Sequence, residues 1–219
     1  MTENTTIAKR ILQFNEALAN CSFDLPEGYR TVNPYSGDQS ELVQKITMAF
    51  YQKYYNDTKP RRIILGSSPA RRGSAVTGVP FEDAKHIQNE TGIFIDKFYI
   101  NQSSSDFLYD VMTEYGGCIV RMNAKGNEVN CNYYENKKLQ ATLKPFILES
   151  IRSQIDFGID TSVCYCIGSG DNFDFVSKIN KEHHFFDTII PLEHPRFIMQ
   201  YNSKNKDVYM KKYLSALKS

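Results

Sequence analysis

Residues 162–192 read SVCYCIGSGDNFDFVSKINKEHHFFDTIIPL, and this stretch decides the fold class. SVCYCIG is a short apolar run that ends in the glycines Gly168 and Gly170. NFDFVSKINKEH follows with a helical pattern, and DTIIPL (187–192) is a second apolar run. Two apolar strands joined by a helix imply parallel pairing in a sheet covered on both faces. The same alternation extends outward. RRIILG (61–66) and CIVRMN (118–123) read as strands, and KKLQATLKPFILESIRSQIDF (137–157) reads as a long helix with a bend at Pro145. Ile7, Ile11, Leu12 and Leu18 recur at helical spacing in 5–20, and Ser40 can cap a helix running to Tyr55. Residues 104–115 and 203–217 are read as helices, and 21–38 as loop. The expected fold class is α/β: a three-layer α/β/α arrangement around a central, four-stranded, mainly parallel sheet. One domain spanning 1–219 is expected, with helices in 1–55 covering the sheet and a motif-bearing core in 60–219.

Composition narrows the function classes. The chain has 219 residues, 41% of them hydrophobic, enough for one domain with a full core. It has no uninterrupted apolar run of the roughly 18 residues that a membrane span needs. MTENTTIAKRILQ is polar where a signal peptide carries its apolar segment, so a cytoplasmic location is expected. The five cysteines are an odd, scattered set, which argues against a disulfide framework. Cys164 and Cys166 share one strand face and read as core thiols. The adjacent His183 and His184 read as a helix end and complete no four-ligand metal pattern. Net charge is +1, so the chain as a whole is no polyanion binder. Its cations nevertheless gather locally, at Lys59, Arg61, Arg62, Arg71 and Arg72, and at Lys204, Lys206, Lys211 and Lys212. Such patches suit a ligand that presents a few phosphates, although an ordinary solvated face has the same signature.

Ligands of parallel sheets bind beyond the carboxyl ends of the strands. Three loops at that edge are 66–83, 168–171 and 192–201. The first, GSSPARRGSAVTGVPFED, is rich in small and hydroxyl residues, and its main-chain N–H groups can meet an anion or a base edge. It ends in Phe81, an apolar ring that can serve as a core anchor or stack on a ligand. The third loop places His194 and Arg196 just past a strand end, and Arg196 can reach a phosphate. Gly66–Ala70 also approximates a hydrolase nucleophile elbow. That geometry requires the residue after the Ser to donate its N–H, and Pro69 has none.

Together the loops resemble the single-strand-selective monofunctional uracil-DNA glycosylases, in particular their second, bacterial subgroup. That family's first motif runs G-x-N-P-G-x-x-G-x-x-x-T-G-[IV]-P-F. Gly66, Pro69, Gly73, Thr77, Gly78, Val79, Pro80 and Phe81 occupy its places at the same spacing. His194-Pro195 matches the start of the second motif. IIPLEHPRFIMQY, NCNYYENKKL and GSGDNFDFVSKIN are also similar, so the likeness runs from about Pro60 to the C-terminus.

The resemblance implies a monofunctional glycosylase of base-excision repair. It would flip uracil, or a related deaminated base, out of DNA and remove it by hydrolysis. Its partner is single- or double-stranded DNA, it acts as a monomer, and it needs no metal or organic cofactor. Ser68 and His194 would be the catalytic residues. Gly66, Ser67, Pro69, Ala70, Phe81 and Asn123 would contact the base, with Asn123 as the amide that reads its edge. Arg71, Ser169, Gly170, Pro195 and Arg196 would contact DNA. Ser68 stands where the family has the Asn that positions water, and such a loss costs about 10²–10³ in rate. Ala70 replaces a family glycine, and the family's C-P-L-G-F run has no counterpart after CIVRMN. These departures sustain an alternative, a weakened or inactive relative that binds DNA or a nucleobase.

Overall fold

The computed structural model describes residues 5–67, 74–82, 84–95 and 118–218. The helix expected over 104–115 lies outside them. In chain order the elements are α1 (Ile7–Ala19), β1 (Tyr29–Val32), α2 (Ser40–Tyr55), β2 (Ile63–Leu65), α3 (Ser74–Thr77), α4 (Ala84–Thr91), β3 (Cys118–Met122) and β4 (Glu128–Cys131). They continue with α5 (Lys137–Asp156), β5 (Val163–Ile167), α6 (Asp171–His183), β6 (Thr188–Leu192), α7 (Pro195–Tyr201) and α8 (Lys206–Lys218). Several boundaries have identifiable causes. The Asn136 side chain accepts the Lys138 and Leu139 N–H groups at the start of α5. His184 closes α6 in the left-handed region, φ 53°, so the His183-His184 pair is indeed a helix end.

The α/β class is as expected, but among the described residues the strands divide between two three-stranded sheets. β2, β5 and β6 form a parallel sheet in that order, with Leu65 paired to Cys166 and Ile167 to Leu192. β3 does not join this ladder. It pairs antiparallel with β1 on one side and with β4 on the other. CIVRMNAKGNEVNC is thus a hairpin where a single strand was expected, and the loop expected over 21–38 contains β1. Neither β1 (YRTV) nor β4 (EVNC) is a continuous apolar run, and that was the signal used to find the other strands.

Alternation along the parallel strands separates two cores. Ile63, Cys164 and Cys166 pack with Leu139, Leu143 and Ile151 of α5 and Ile179 of α6. Both cysteines are fully buried, as core thiols. On the opposite face, Ile64, Tyr165, Ile167 and Leu192 pack with Ile198 of α7 and Tyr213 of α8. α1 and α2 supply Ile7, Ile11, Ile46, Phe50 and Tyr51 to a third cluster with Val79, Ala84 and Ile87, whose buried members come from helices and the neighbouring loops.

That third cluster, through Val79, and a smaller one of Leu18, Tyr35 and Val43 fix the loop leading to Phe81. Gly78 sits at φ +71°, and a Cβ there would lie 2.5 Å from Val43 Cγ1 and 3.1 Å from the Tyr35 ring. The Tyr35 hydroxyl donates to the Gly78 carbonyl at 2.8 Å. Gly78→Ala therefore combines backbone strain with overpacking and should lower unfolding free energy by about 3 kcal/mol. Urea denaturation measures this, and an unchanged midpoint would contradict the packing described.

Candidate active site

The parallel register brings Gly66, Gly168 and Glu193 to one edge, past the ends of β2, β5 and β6. Phe81 approaches this edge from the 74–82 segment. Its backbone is left-handed at φ 60°, a conformation that costs a bulky residue on the order of 1–3 kcal/mol. Fully buried Thr77 over-determines it. The Thr77 hydroxyl accepts the Val79 N–H and lies 3.2 Å from the Val79 carbonyl and 3.3 Å from the Glu82 carbonyl. The Phe81 ring packs on the cluster of Ile64, Tyr165, Leu192 and Ile198. Leu192 and Ile198 of that cluster stand on either side of His194-Pro195 in sequence.

His194 is the N-cap of α7, the helix that replaces the loop expected at 195–201, and Pro195 occupies its first position. In place of the usual hydroxyl or carboxylate, the imidazole Nδ1 accepts the Arg196 N–H at 3.1 Å. An Nδ1 that accepts carries no proton, so the neutral ring holds its proton on Nε2. Burial, with a smaller contribution from the Arg196 charge, pulls His194 down to about 4. The imidazole is thus a neutral Nε2–H donor at pH 7. Helix α8 braces the turn. The Tyr213 hydroxyl donates to the Glu193 carbonyl at 2.5 Å, and Lys212 Nζ meets the Glu193 carboxylate at 2.7 Å. The Gly168 N–H donates to the Leu192 carbonyl at 2.8 Å, which ties the loop of Ser169 and Gly170, both exposed, to the same turn.

A second polar group assembles at the end of β2. Ser67 Oγ donates to Asn132 Oδ1 at 3.1 Å and also hydrogen-bonds the Tyr134 side chain. Asn132 directly follows β4, and Glu135 Oε1 accepts both its backbone N–H and its amide N–H. On the α5 side, Gly66 and Ser67 also form part of the wall of a cavity of about 130 Å³ whose other lining is mostly apolar. Neither Phe81 nor His194 lines it. Among the described residues, no group of three or more His, Cys, Asp or Glu side chains could hold a metal ion, and no helix is long and apolar enough to cross a membrane.

A family model described as the uracil DNA glycosylase superfamily matches residues 52–218. The chain belongs to this superfamily. Among solved structures, the crystal structure of wild-type Pedobacter heparinus SMUG2 is similar, with a TM-score of 0.89 and 39% identity over 98% of this chain and 97% of that one. None of the curated proteins compared matches.

Within this superfamily fold, the sequence-derived site residues are distributed unevenly. Gly66, Ser67, Phe81, Ser169, Gly170, His194, Pro195 and Arg196 stand on segments next to the ends of the parallel strands or pack against them. Ser68, Pro69, Ala70 and Arg71 lie outside the described residues. Asn123 is placed elsewhere, in the β3–β4 turn, where its Oδ1 accepts the Lys125 and Asn127 N–H groups at 2.9 and 3.0 Å. That is the turn role open to an Asn before Gly126, and it occupies the amide oxygen. The Ser67 side chain meets instead Asn132, which the sequence reading did not single out. It sits in NCNYYENKKL, a segment already matched to the family, but its significance depended on seeing that the strand turns back. Of the first basic group, Arg61 pairs with Asp57 and Arg62 with Asp160.

The depressed His194 value has a consequence for stability. Folded His194 stays neutral down to about pH 4, whereas the unfolded chain takes up its proton near 6.5. Its contribution is therefore complete above pH 6.5 and is lost as pH falls from 6.5 to 4. Urea midpoints at pH 7.5 and 4.5 should differ more in the wild type than in His194→Gln, and equal differences would contradict the placement of this ring.

Proposed function

We propose that this chain is a monofunctional DNA glycosylase that removes uracil, or a related deaminated base, from DNA in base-excision repair. It would belong to the single-strand-selective monofunctional type. The observation that carries this reading is the 3.1 Å bond from the Arg196 N–H to His194 Nδ1, which leaves Nε2–H as a neutral donor just past the strand whose Leu192 packs with Phe81. The flipped nucleotide inserts its base beside Phe81. Main-chain N–H groups of Gly66–Ser68 and Ala70 read its edge, and Asn132 takes the role expected of Asn123 by exchanging its Ser67 contact for the base. As the N-glycosidic bond breaks, negative charge grows on the base, and the His194 Nε2–H stabilises it at a carbonyl oxygen. Water, oriented by Ser68, adds to the anomeric carbon and loses a proton. Base and abasic sugar are the products. Arg71, Ser169, Gly170, Pro195 and Arg196 hold the DNA backbone.

Incubation with uracil-containing single- and double-stranded oligonucleotides, followed by alkaline cleavage, should give a product band. His194→Ala should slow its formation by roughly 10²-fold or more. No product at enzyme excess would end this reading.

One observation favours a second reading. Ser68 stands where the family has the water-positioning Asn, which suits a weakened relative that binds DNA or a nucleobase. Ser68→Asn decides between them. A gain of cleavage from an inactive wild type would mark this chain as the weakened form.

A further inference from the structure

The 3₁₀ turn Tyr133–Glu135 brings Glu135 back over Asn132, and the Glu135 N–H closes it by donating to the Asn132 carbonyl at 3.1 Å. Glu135 Oε1 then accepts two hydrogen bonds from Asn132, one from its backbone N–H at 2.9 Å and one from its side-chain Nδ2 at 3.1 Å. The second oxygen, Oε2, accepts from the Cys131 thiol at 3.5 Å and lies 3.9 Å from the Arg121 guanidinium. These bonds settle a choice that an asparagine otherwise leaves open. The two ends of its amide have nearly the same shape and opposite hydrogen-bonding character. A carboxylate only accepts, so the NH₂ end faces Glu135. Oδ1 is thereby turned to Ser67 at the end of β2, whose hydroxyl donates to it at 3.1 Å. Ser67 alone does not impose this direction, because a hydroxyl can either donate or accept.

We propose that Glu135 is a positioning residue that fixes the direction of the Asn132 amide, so that a bound base meets an acceptor there and not a donor. The inference rests on the glycosylase reading and deepens it by naming the residue that sets a preference of the site. Once the base displaces Ser67 from Oδ1, uracil offers a ring N–H to that oxygen, whereas cytosine offers a ring nitrogen with a lone pair. Two acceptors face to face repel, and both are left unpaired away from water. An Asn132 free to turn would satisfy either base. Held by Glu135, it satisfies only the first.

The test is fluorescence anisotropy with labelled single-stranded oligonucleotides that carry one 2′-fluoroarabino uracil nucleotide or its cytosine counterpart, sugars that resist bond cleavage. The wild type should bind the uracil strand roughly tenfold more tightly than the cytosine strand. Glu135→Ala should reduce that ratio to about twofold or less. Glu135→Gln should retain most of it, because the Asn132 backbone N–H draws the Gln oxygen into the place of Oε1. A ratio unchanged in Glu135→Ala, or lost equally in Glu135→Gln, would overturn the proposal, as would a wild type without preference. NMR of the wild-type side-chain amides tests the same bond without any variant. One Asn132 Nδ2 proton should be shifted downfield and protected from exchange, and two ordinary, rapidly exchanging protons would also overturn the proposal. Uracil release from a normal uracil strand, measured in parallel, keeps the two readings apart. Release by the wild type together with an unchanged ratio in Glu135→Ala refutes the role of Glu135 alone. A Glu135-dependent preference without release refutes the glycosylase reading alone.

Discussion

The Arg196 backbone N–H donates to Nδ1 of His194, and the chemical character of the site depends on that bond. A histidine at the end of a parallel strand can be an acid, a base, a metal ligand or a neutral donor. Donation to Nδ1 leaves the ring its proton on Nε2, and burial keeps it neutral. A neutral donor suits a leaving group that accumulates negative charge, because it stabilises that charge without transferring a proton to it. The bond exists because α7 begins at Pro195, which fixes the first helical residue and frees the next N–H for the cap. The turn is then held from outside by Tyr213 and Lys212 on Glu193, and from the neighbouring strand by the Gly168 N–H.

Phe81 is the second constraint, and it explains the N-terminal helices. A left-handed Phe persists only where its surroundings leave no alternative. Thr77, Gly78 and Val79 supply that confinement, and they are themselves pressed onto Val43, Thr47 and Tyr35. Helices that carry no evident chemistry therefore help to hold the backbone that leads to Phe81. This is consistent with the likeness to Pedobacter heparinus SMUG2, which extends over 98% of the chain, well beyond the family match that begins at residue 52.

The fold was legible in the sequence where strands were buried on both faces. β2, β5 and β6 each announce themselves as short apolar runs ended by a glycine or a turn, and the helix between β5 and β6 shows a helical pattern. β1 and β4 were illegible because each is short, partly exposed and interrupted by polar residues, and because the Asn123–Asn127 turn resembled a strand end. That error propagated to the site. Asn123 looked like a residue at a carboxyl edge, whereas the chain only reverses there, and it is Asn132 that meets Ser67 at the end of β2. Phe81 and His194 were legible because motif spacing is read from sequence directly. The cap that sets the His194 tautomer was not, since it depends on the direction of one backbone N–H.

Nitrogen-15 NMR of the imidazoles, followed from pH 8 to pH 3.5, measures that tautomer without requiring activity. The structure predicts that His194 is neutral at pH 7 with its proton on Nε2, and that it titrates with a midpoint near 4. A midpoint at or above 6.5, or a neutral ring protonated on Nδ1, would contradict the basis on which this site is understood.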